Sequence, residues 1–119
     1  MNILVVDDSV SVRMHVVDIC QEALHTTFQA GNGLEALEVL RKEKIDIVLT
    51  DINMPEMNGI ELLESIQNEG IDTITIAITT NVSPSTMQRA KQLGMKGWMI
   101  KPIKEDVFLS LLQKISENK

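Results

Sequence analysis

Residues suited to phosphate and metal chemistry stand directly behind apolar runs in this 119-residue chain. Asp7 and Asp8 follow the run 3–6, Asp51 follows 45–50, Thr79 closes 73–79 with Thr80 directly after it, and Lys101-Pro102 follow 96–100. Three carboxylates brought to one edge repel one another unless a cation joins them. Mg²⁺ suits such a place, being small, hard, oxygen-bound and often shared with a substrate phosphate; Mn²⁺ is the alternative. Carboxylates, a divalent metal, a hydroxyl and an ammonium on one rim make a phosphoryl-transfer site. Asp51 could then be the nucleophile, forming an aspartyl phosphate, with Mg²⁺ and Lys101 neutralising charge on the transferring oxygens. Such a site supplies position and electrostatics and needs little acid–base machinery.

For these groups to meet, the ends of the apolar runs must lie side by side, and the rest of the sequence provides for that. The unbroken β-branched run 3–6 reads as a strand buried on both faces. Ser9 could cap a following helix with apolar members Val10, Met14, Val17 and Leu24. Thr26–Ala30 reads as a weak second strand, Gly31-Asn32-Gly33 as a turn, and Leu34, Leu37, Val39 and Leu40 as one side of a second helix. Residues 45–50 form a third strand and 51–59 a loop. A third helix follows through Ile60, Leu62, Leu63 and Ile66 to a stop near Gly70. Residues 73–79 give a fourth strand. Ser83-Pro84 has the pattern of an N-cap with proline at the first helical position, opening a helix through Met87, Ala90 and Leu93. Residues 96–100 give a fifth strand, and Val107, Leu111, Leu112 and Ile115 mark a last helix.

Strict alternation implies α/β architecture: a parallel sheet with crossover helices on both faces. Right-handed crossovers leave few topologies, the obvious one being the flavodoxin-like, doubly wound five-stranded sheet of order 2-1-3-4-5 with five helices. Ligands of such sheets bind beyond the carboxyl ends of the strands, at the switch point between strands 1 and 3. Strand spacing of about 4.7–4.9 Å crowds Asp7, Asp8 and Asp51 there and leaves Lys101 roughly 10 Å from Asp51, a gap its stem mostly covers. No linker or second composition regime interrupts residues 1–119, so one domain is expected.

Composition narrows the class further. Hydrophobic residues make up 44%, too many for intrinsic disorder. The net charge of −6 argues against nucleic acid as the main ligand. Cys20 is the single cysteine, so neither an internal disulfide nor a multi-cysteine zinc site can form. With no signal-like or membrane-length apolar run, a cytoplasmic location without membrane insertion is expected. The seven methionines mostly fill core gaps, with Met95 and Met99 offering an adaptable surface near Trp98, while His15 and His25 make no ligand set.

Taken in order, Val5-Val6-Asp7-Asp8-Ser9, Leu49-Thr50-Asp51-Ile52-Asn53-Met54-Pro55, Met57-Asn58-Gly59, Thr79 and Lys101-Pro102 resemble the receiver domain of bacterial response regulators, across essentially the whole chain. Chemotaxis receivers are themselves a standing example of the 2-1-3-4-5 order, so the order belongs to the resemblance. The resemblance implies that Asp51 is the phosphoacceptor and that Asp7 and Asp8 hold Mg²⁺ with Asp51 and the Asn53 backbone carbonyl. It implies that Thr79 binds the phosphoryl group, that Lys101 pairs with one of its oxygens, and that Pro102 follows a cis peptide. Thr79, Thr80 and Trp98 would form the switch. Thr80 stands where receivers often have Ala or Gly, and Trp98 where Tyr or Phe is usual. Thr79-Thr80-Asn81 with residues 97–102 is similar to a subset of stand-alone chemotaxis receivers.

The resemblance implies a sensor histidine kinase as donor. The output protein would bind the face made by the fourth helix, fifth strand and fifth helix, a flagellar motor switch being one candidate. A phosphatase is a further possible partner. No DNA-binding segment follows Lys119, so output by protein contact is expected. The alternatives are a phosphate-sink or relay receiver and a passive docking receiver. Two rival classes fit less well. A small aspartate-nucleophile phosphatase would need a cap that 119 residues do not provide, and a flavodoxin-like cofactor binder would not set Asp7-Asp8 against a phosphate.

Overall fold

Alternation along the strands decides which residues face which helices. In the computed structural model, which describes residues 1–54, 56–80 and 83–117, the sequence folds into β1 (Asn2–Val6), α1 (Val10–Glu22), β2 (Thr26–Ala30), α2 (Gly33–Lys42), β3 (Ile47–Thr50), α3 (Gly59–Asn68), β4 (Ile74–Thr79), α4 (Pro84–Gln92), β5 (Gly97–Ile100) and α5 (Glu105–Glu117). All strand pairs are parallel, in the order β2-β1-β3-β4-β5, as the sequence predicts. Ile3, Val5, Ile47, Leu49, Ile76 and Ile78 point to one face and pack with Val16, Val17, Ile19 and Cys20 of α1 and Phe108 and Leu112 of α5. Leu4, Val6 and Val48 point to the other face, against Ala36, Leu37 and Leu40 of α2 and Leu62 and Ile66 of α3. A third cluster joins Ile52, Leu63, Ala77, Ala90, Leu93 and Met95, with Trp98 packed against it. Each fully buried aliphatic side chain contributes about 1.5–3 kcal/mol. Burial also pushes the Cys20 thiol up to about 11, which leaves it unreactive.

Helix starts follow their local chemistry. The Ser9 hydroxyl accepts from the Val12 N–H at 3.4 Å, and Ser83 caps α4 with Pro84 in its first turn. Asn58 and Glu61 form a reciprocal capping box on α3, satisfying two otherwise unpaired backbone donors.

Several expectations are corrected. Val10, Met14 and Leu24 are exposed, and α1 buries Val16, Val17, Ile19 and Cys20 instead. That helix is apolar at enough positions to offer two stripes, and the sheet takes the second. Leu24 lies beyond the helix with φ +68. Leu34 is exposed, and on α5 Val107 faces solvent while Phe108 fills the core. Met95 and Met99 are buried, and Met99 only edges the grooves beside Trp98 and Val107. β3 begins at Ile47, because Asp46 turns the chain with its carboxylate on the Asn2 N–H at 2.8 Å. β4 and β5 each start one residue later than predicted.

Candidate functional site

Register puts the carboxylates together. Val6 pairs with Thr50, so the residues that follow, Asp7 and Asp51, leave the sheet side by side. One carboxylate oxygen from each of Asp7, Asp8 and Asp51 lies within 4.8 Å of the others. Asp7 and Asp51 are buried and Asp8 is exposed.

The two buried carboxylates are oriented by backbone and by one lysine. The Ser9 N–H donates to Asp7 Oδ1 at 2.9 Å, and the Asn53 N–H donates to Asp51 Oδ1 at 3.1 Å. Lys101 Nζ donates to Asp7 Oδ2 at 2.8 Å and to Asp51 Oδ2 at 2.9 Å. Its stem therefore covers the whole gap and continues to the next carboxylate. The chain enters this position by donating the Lys101 N–H to the Thr79 carbonyl at 2.8 Å, and the Lys101–Pro102 peptide is cis. Burial alone would lower the lysine's pKa, but its bonds to Asp51 and Asp7 outweigh that and hold it above the ordinary lysine value.

The site's floor is fixed by close packing around Asp51. A Cβ on Gly59 would come within 2.5 Å of the Asp51 carbonyl oxygen, so only glycine lets α3 start so near the strand end. Gly33 at the start of α2 has a similar role, since a Cβ there would lie 2.5 Å from Met57 Cγ. The Gly33 N–H donates to the Met57 carbonyl at 3.0 Å, tying the loop after Asp51 to α2.

Thr79 ends β4 with 1% of its surface exposed, and its hydroxyl has no hydrogen-bond partner among the described residues. A buried, unpaired hydroxyl is costly in a resting protein and is a ready donor for an arriving anion. Thr80 is exposed and, with Ser11, Val12, His15, Lys101 and Pro102, lines a cleft of about 370 Å³ beside the lysine. Trp98 is half-buried against the third cluster, with Lys91 Nζ 5.7 Å from its ring centroid. Asn53 is exposed; Pro55 and Asn81 lie outside the described residues.

The structure thus brings Asp7, Asp8, Asp51 and Lys101 into one cluster and leaves Thr80 and Trp98 outside it. Hard oxygen donors at this spacing fit a small divalent cation, and the orphaned Thr79 hydroxyl fits an oxyanion. Sequence reasoning did not single out Arg13, whose Nη1 donates to the Asp7 carbonyl at 2.7 Å. The six-residue separation has no helical or strand periodicity to flag it.

Comparison with known proteins agrees with this architecture. The family model described as the response regulator receiver domain matches residues 3–113. The chain is 37% identical over 117 residues to the sensor histidine kinase RcsC of Escherichia coli K12, covering 98% of this chain but only 12% of that protein. It is 33% identical to the sporulation initiation phosphotransferase F of Bacillus subtilis, over 94% of this chain and 90% of that one. Among solved structures it is similar to the chemotaxis protein CheY4 of Vibrio cholerae, with a TM-score of 0.89, 34% identity, and coverage of 96% and 97% of the two chains.

Proposed function

The chain belongs to the response regulator receiver family, and on that premise we propose that Asp51 accepts a phosphoryl group from a sensor kinase's phosphohistidine. The supporting observation is the Asp51 carboxylate itself. It is 8% exposed, held by the Asn53 N–H and Lys101, and set within 4.8 Å of two further carboxylates. An Asp51 oxygen forms the new O–P bond as the P–N bond of the phosphohistidine breaks, and the electron pair stays on the imidazole. Asp7, Asp8, Asp51 and the Asn53 carbonyl would hold Mg²⁺, or Mn²⁺ in its place. When bound, the ion neutralises charge on the phosphoryl oxygens. Lys101 follows those oxygens away from Asp7, and the unpaired Thr79 hydroxyl donates to one of them. Receivers are signalling domains, and the only chemistry expected of this chain is its own phosphorylation and dephosphorylation.

The output surface in this reading is α4–β5–α5, including Thr80 and Trp98 at its edge. Ile100 and Val107 are 60% and 52% exposed there, and grooves of about 250 and 420 Å³ run beside Trp98 and Val107. A full switch from 1:99 to 99:1 needs about 5.5 kcal/mol of differential stabilisation. A new charge-assisted bond from Thr79 contributes ~1.5–3 kcal/mol of it, while Lys101 exchanges its bond to Asp7 for one to the phosphoryl group.

Residues 1–119 act in this reading as one cytoplasmic receiver that binds neither nucleic acid nor membrane. Among the described residues no helix is long and apolar enough to cross a membrane. Likeness to a chemotaxis protein favours motility control through a partner such as a motor switch, with a phosphatase resetting the signal. Likeness to the sporulation phosphotransferase, over 90% of its length, supports a relay as the second reading. The test is Trp98 emission during addition of Mg²⁺ and then acetyl phosphate, with intact mass read in parallel. A Mg²⁺-dependent phosphoryl gain with changed emission is expected. Failure with both acetyl phosphate and a cognate kinase would leave a passive docking receiver.

A further inference from the structure

We infer that Arg13 is a positioning residue for the cation site, setting the direction of Asp8; this rests on the metal reading proposed above. Asp8 is exposed and makes no hydrogen bond to any described residue, so its carboxylate is aimed only by the backbone that carries it. The Arg13 side chain grips that backbone just before Asp8, its guanidinium Nη1 donating to the Asp7 carbonyl at 2.7 Å. Just after Asp8, the first backbone bond of α1, from the N–H of residue 13 to the Ser9 carbonyl at 3.0 Å, holds the chain whatever side chain stands at 13. The guanidinium is itself oriented, because Nε donates to Gln29 Oε1 on β2 at 3.2 Å. The Asp7 N–H donates to the Ala30 carbonyl at 3.1 Å, which fixes the other end of the same peptide pair to β2. Arg13 and β2 thus hold the Asp7–Asp8 turn rigid before any cation arrives, and a preorganised oxygen set binds a small, geometrically demanding ion more tightly.

Charge and position predict opposite signs, which makes the inference testable. Arg13 carries a positive charge close to a cation site, so removing that charge alone would tighten Mg²⁺ binding. Removing the clamp would weaken it. Calorimetric titration of the full chain with Mg²⁺ separates the two.

Arg13→Met is expected to weaken binding about ten-fold, the lower end for loss of an outer-shell partner, and Arg13→Lys by about three-fold. Lysine keeps the charge but cannot reach the Asp7 carbonyl and Gln29 together. Phosphorylation by acetyl phosphate should need more Mg²⁺ while its rate at saturating Mg²⁺ stays within about two-fold, since no group on the reacting atoms changes. Urea denaturation without Mg²⁺ checks that the variant is folded.

Equal or tighter Mg²⁺ binding by folded Arg13→Met would overturn the inference. Should that variant not fold, Gln29→Ala on the exposed side of β2 frees the guanidinium and should weaken binding about two- to three-fold. Unchanged affinity there would overturn it equally. Absence of Mg²⁺ binding by the unaltered chain would overturn the metal reading itself, and this inference with it.

Discussion

Lys101→Met takes the ammonium from between two carboxylates that are 2% and 8% exposed. At an effective dielectric of about 20, Asp7 and Asp51 within 4.8 Å of each other repel by at least about 3.5 kcal/mol. The ammonium at 2.8 and 2.9 Å attracts each by about 6 kcal/mol on the same scale. The net loss is smaller, because the methionine carries no charge to desolvate and water can reach the freed carboxylates. Removing one partner from a buried ion pair costs about 3–5 kcal/mol. With 15% of the lysine side chain and 10% of the Asp51 side chain exposed, the low end applies, about 3 kcal/mol.

The assay is urea denaturation in EDTA, followed by circular dichroism. Adding Asp51→Asn to Lys101→Met removes one of the repelling charges. The double variant should therefore be more stable than the single one by at least about 1 kcal/mol. Mg²⁺ should stabilise Lys101→Met more than the unaltered chain. A Lys101→Met variant within about 0.5 kcal/mol of its parent, or one destabilised further by Asp51→Asn, would refute the electrostatic reasoning.

Three other outcomes follow from the same geometry. Thr79→Val keeps the shape and deletes an unpaired buried hydroxyl, so the metal-free protein should gain about 1 kcal/mol in urea denaturation. Its phosphorylation by acetyl phosphate should slow about ten-fold, through loss of a hydrogen bond to a charged group. Gly33→Ala forces a Cβ to 2.7 Å from the Met57 carbonyl oxygen and should cost about 1–3 kcal/mol by thermal or urea denaturation. Lys101 binds its proton more tightly folded than unfolded, so its contribution is fully present below the ordinary lysine pKa of about 10.4. It is lost as pH rises through the higher folded value. A stability–pH series above pH 10 should show this loss, and Lys101→Met should lack that component.

The sheet was legible because β1, β3 and β4 are short runs rich in β-branched residues, and because β1, β3 and β5 each end in a change of chemistry. Val6 to Asp7, Thr50 to Asp51 and Ile100 to Lys101 are all such boundaries, and parallel order then sets the first two side by side. Less legible was anything decided by rotation about a helix axis. In α1, Val10, Met14 and Val17 form a valid stripe, but Val16, Ile19 and Cys20 with Val17 form another, and only packing chooses between them. Trp98 drew attention to Met95 and Met99 as its surface neighbours, yet strand alternation sends Met99 into the α1–α5 core, and Met95 packs beneath α4.

The Arg13 clamp and the Gly33–Met57 contact were hidden for a different reason. Each joins residues from separate elements through a carbonyl or a missing side chain, which leaves no residue pattern to read.

The most direct test of the account is to find where the phosphoryl group goes. The chain is treated with Mg²⁺ and acetyl phosphate or a cognate kinase, reduced with borohydride to convert an acyl phosphate to its alcohol, and mapped by peptide mass. The account predicts conversion of Asp51 to homoserine, dependent on Mg²⁺ and absent from Asp7 and Asp8. Conversion at another carboxylate, conversion at Asp51 without a divalent cation, or no conversion with either donor would contradict it.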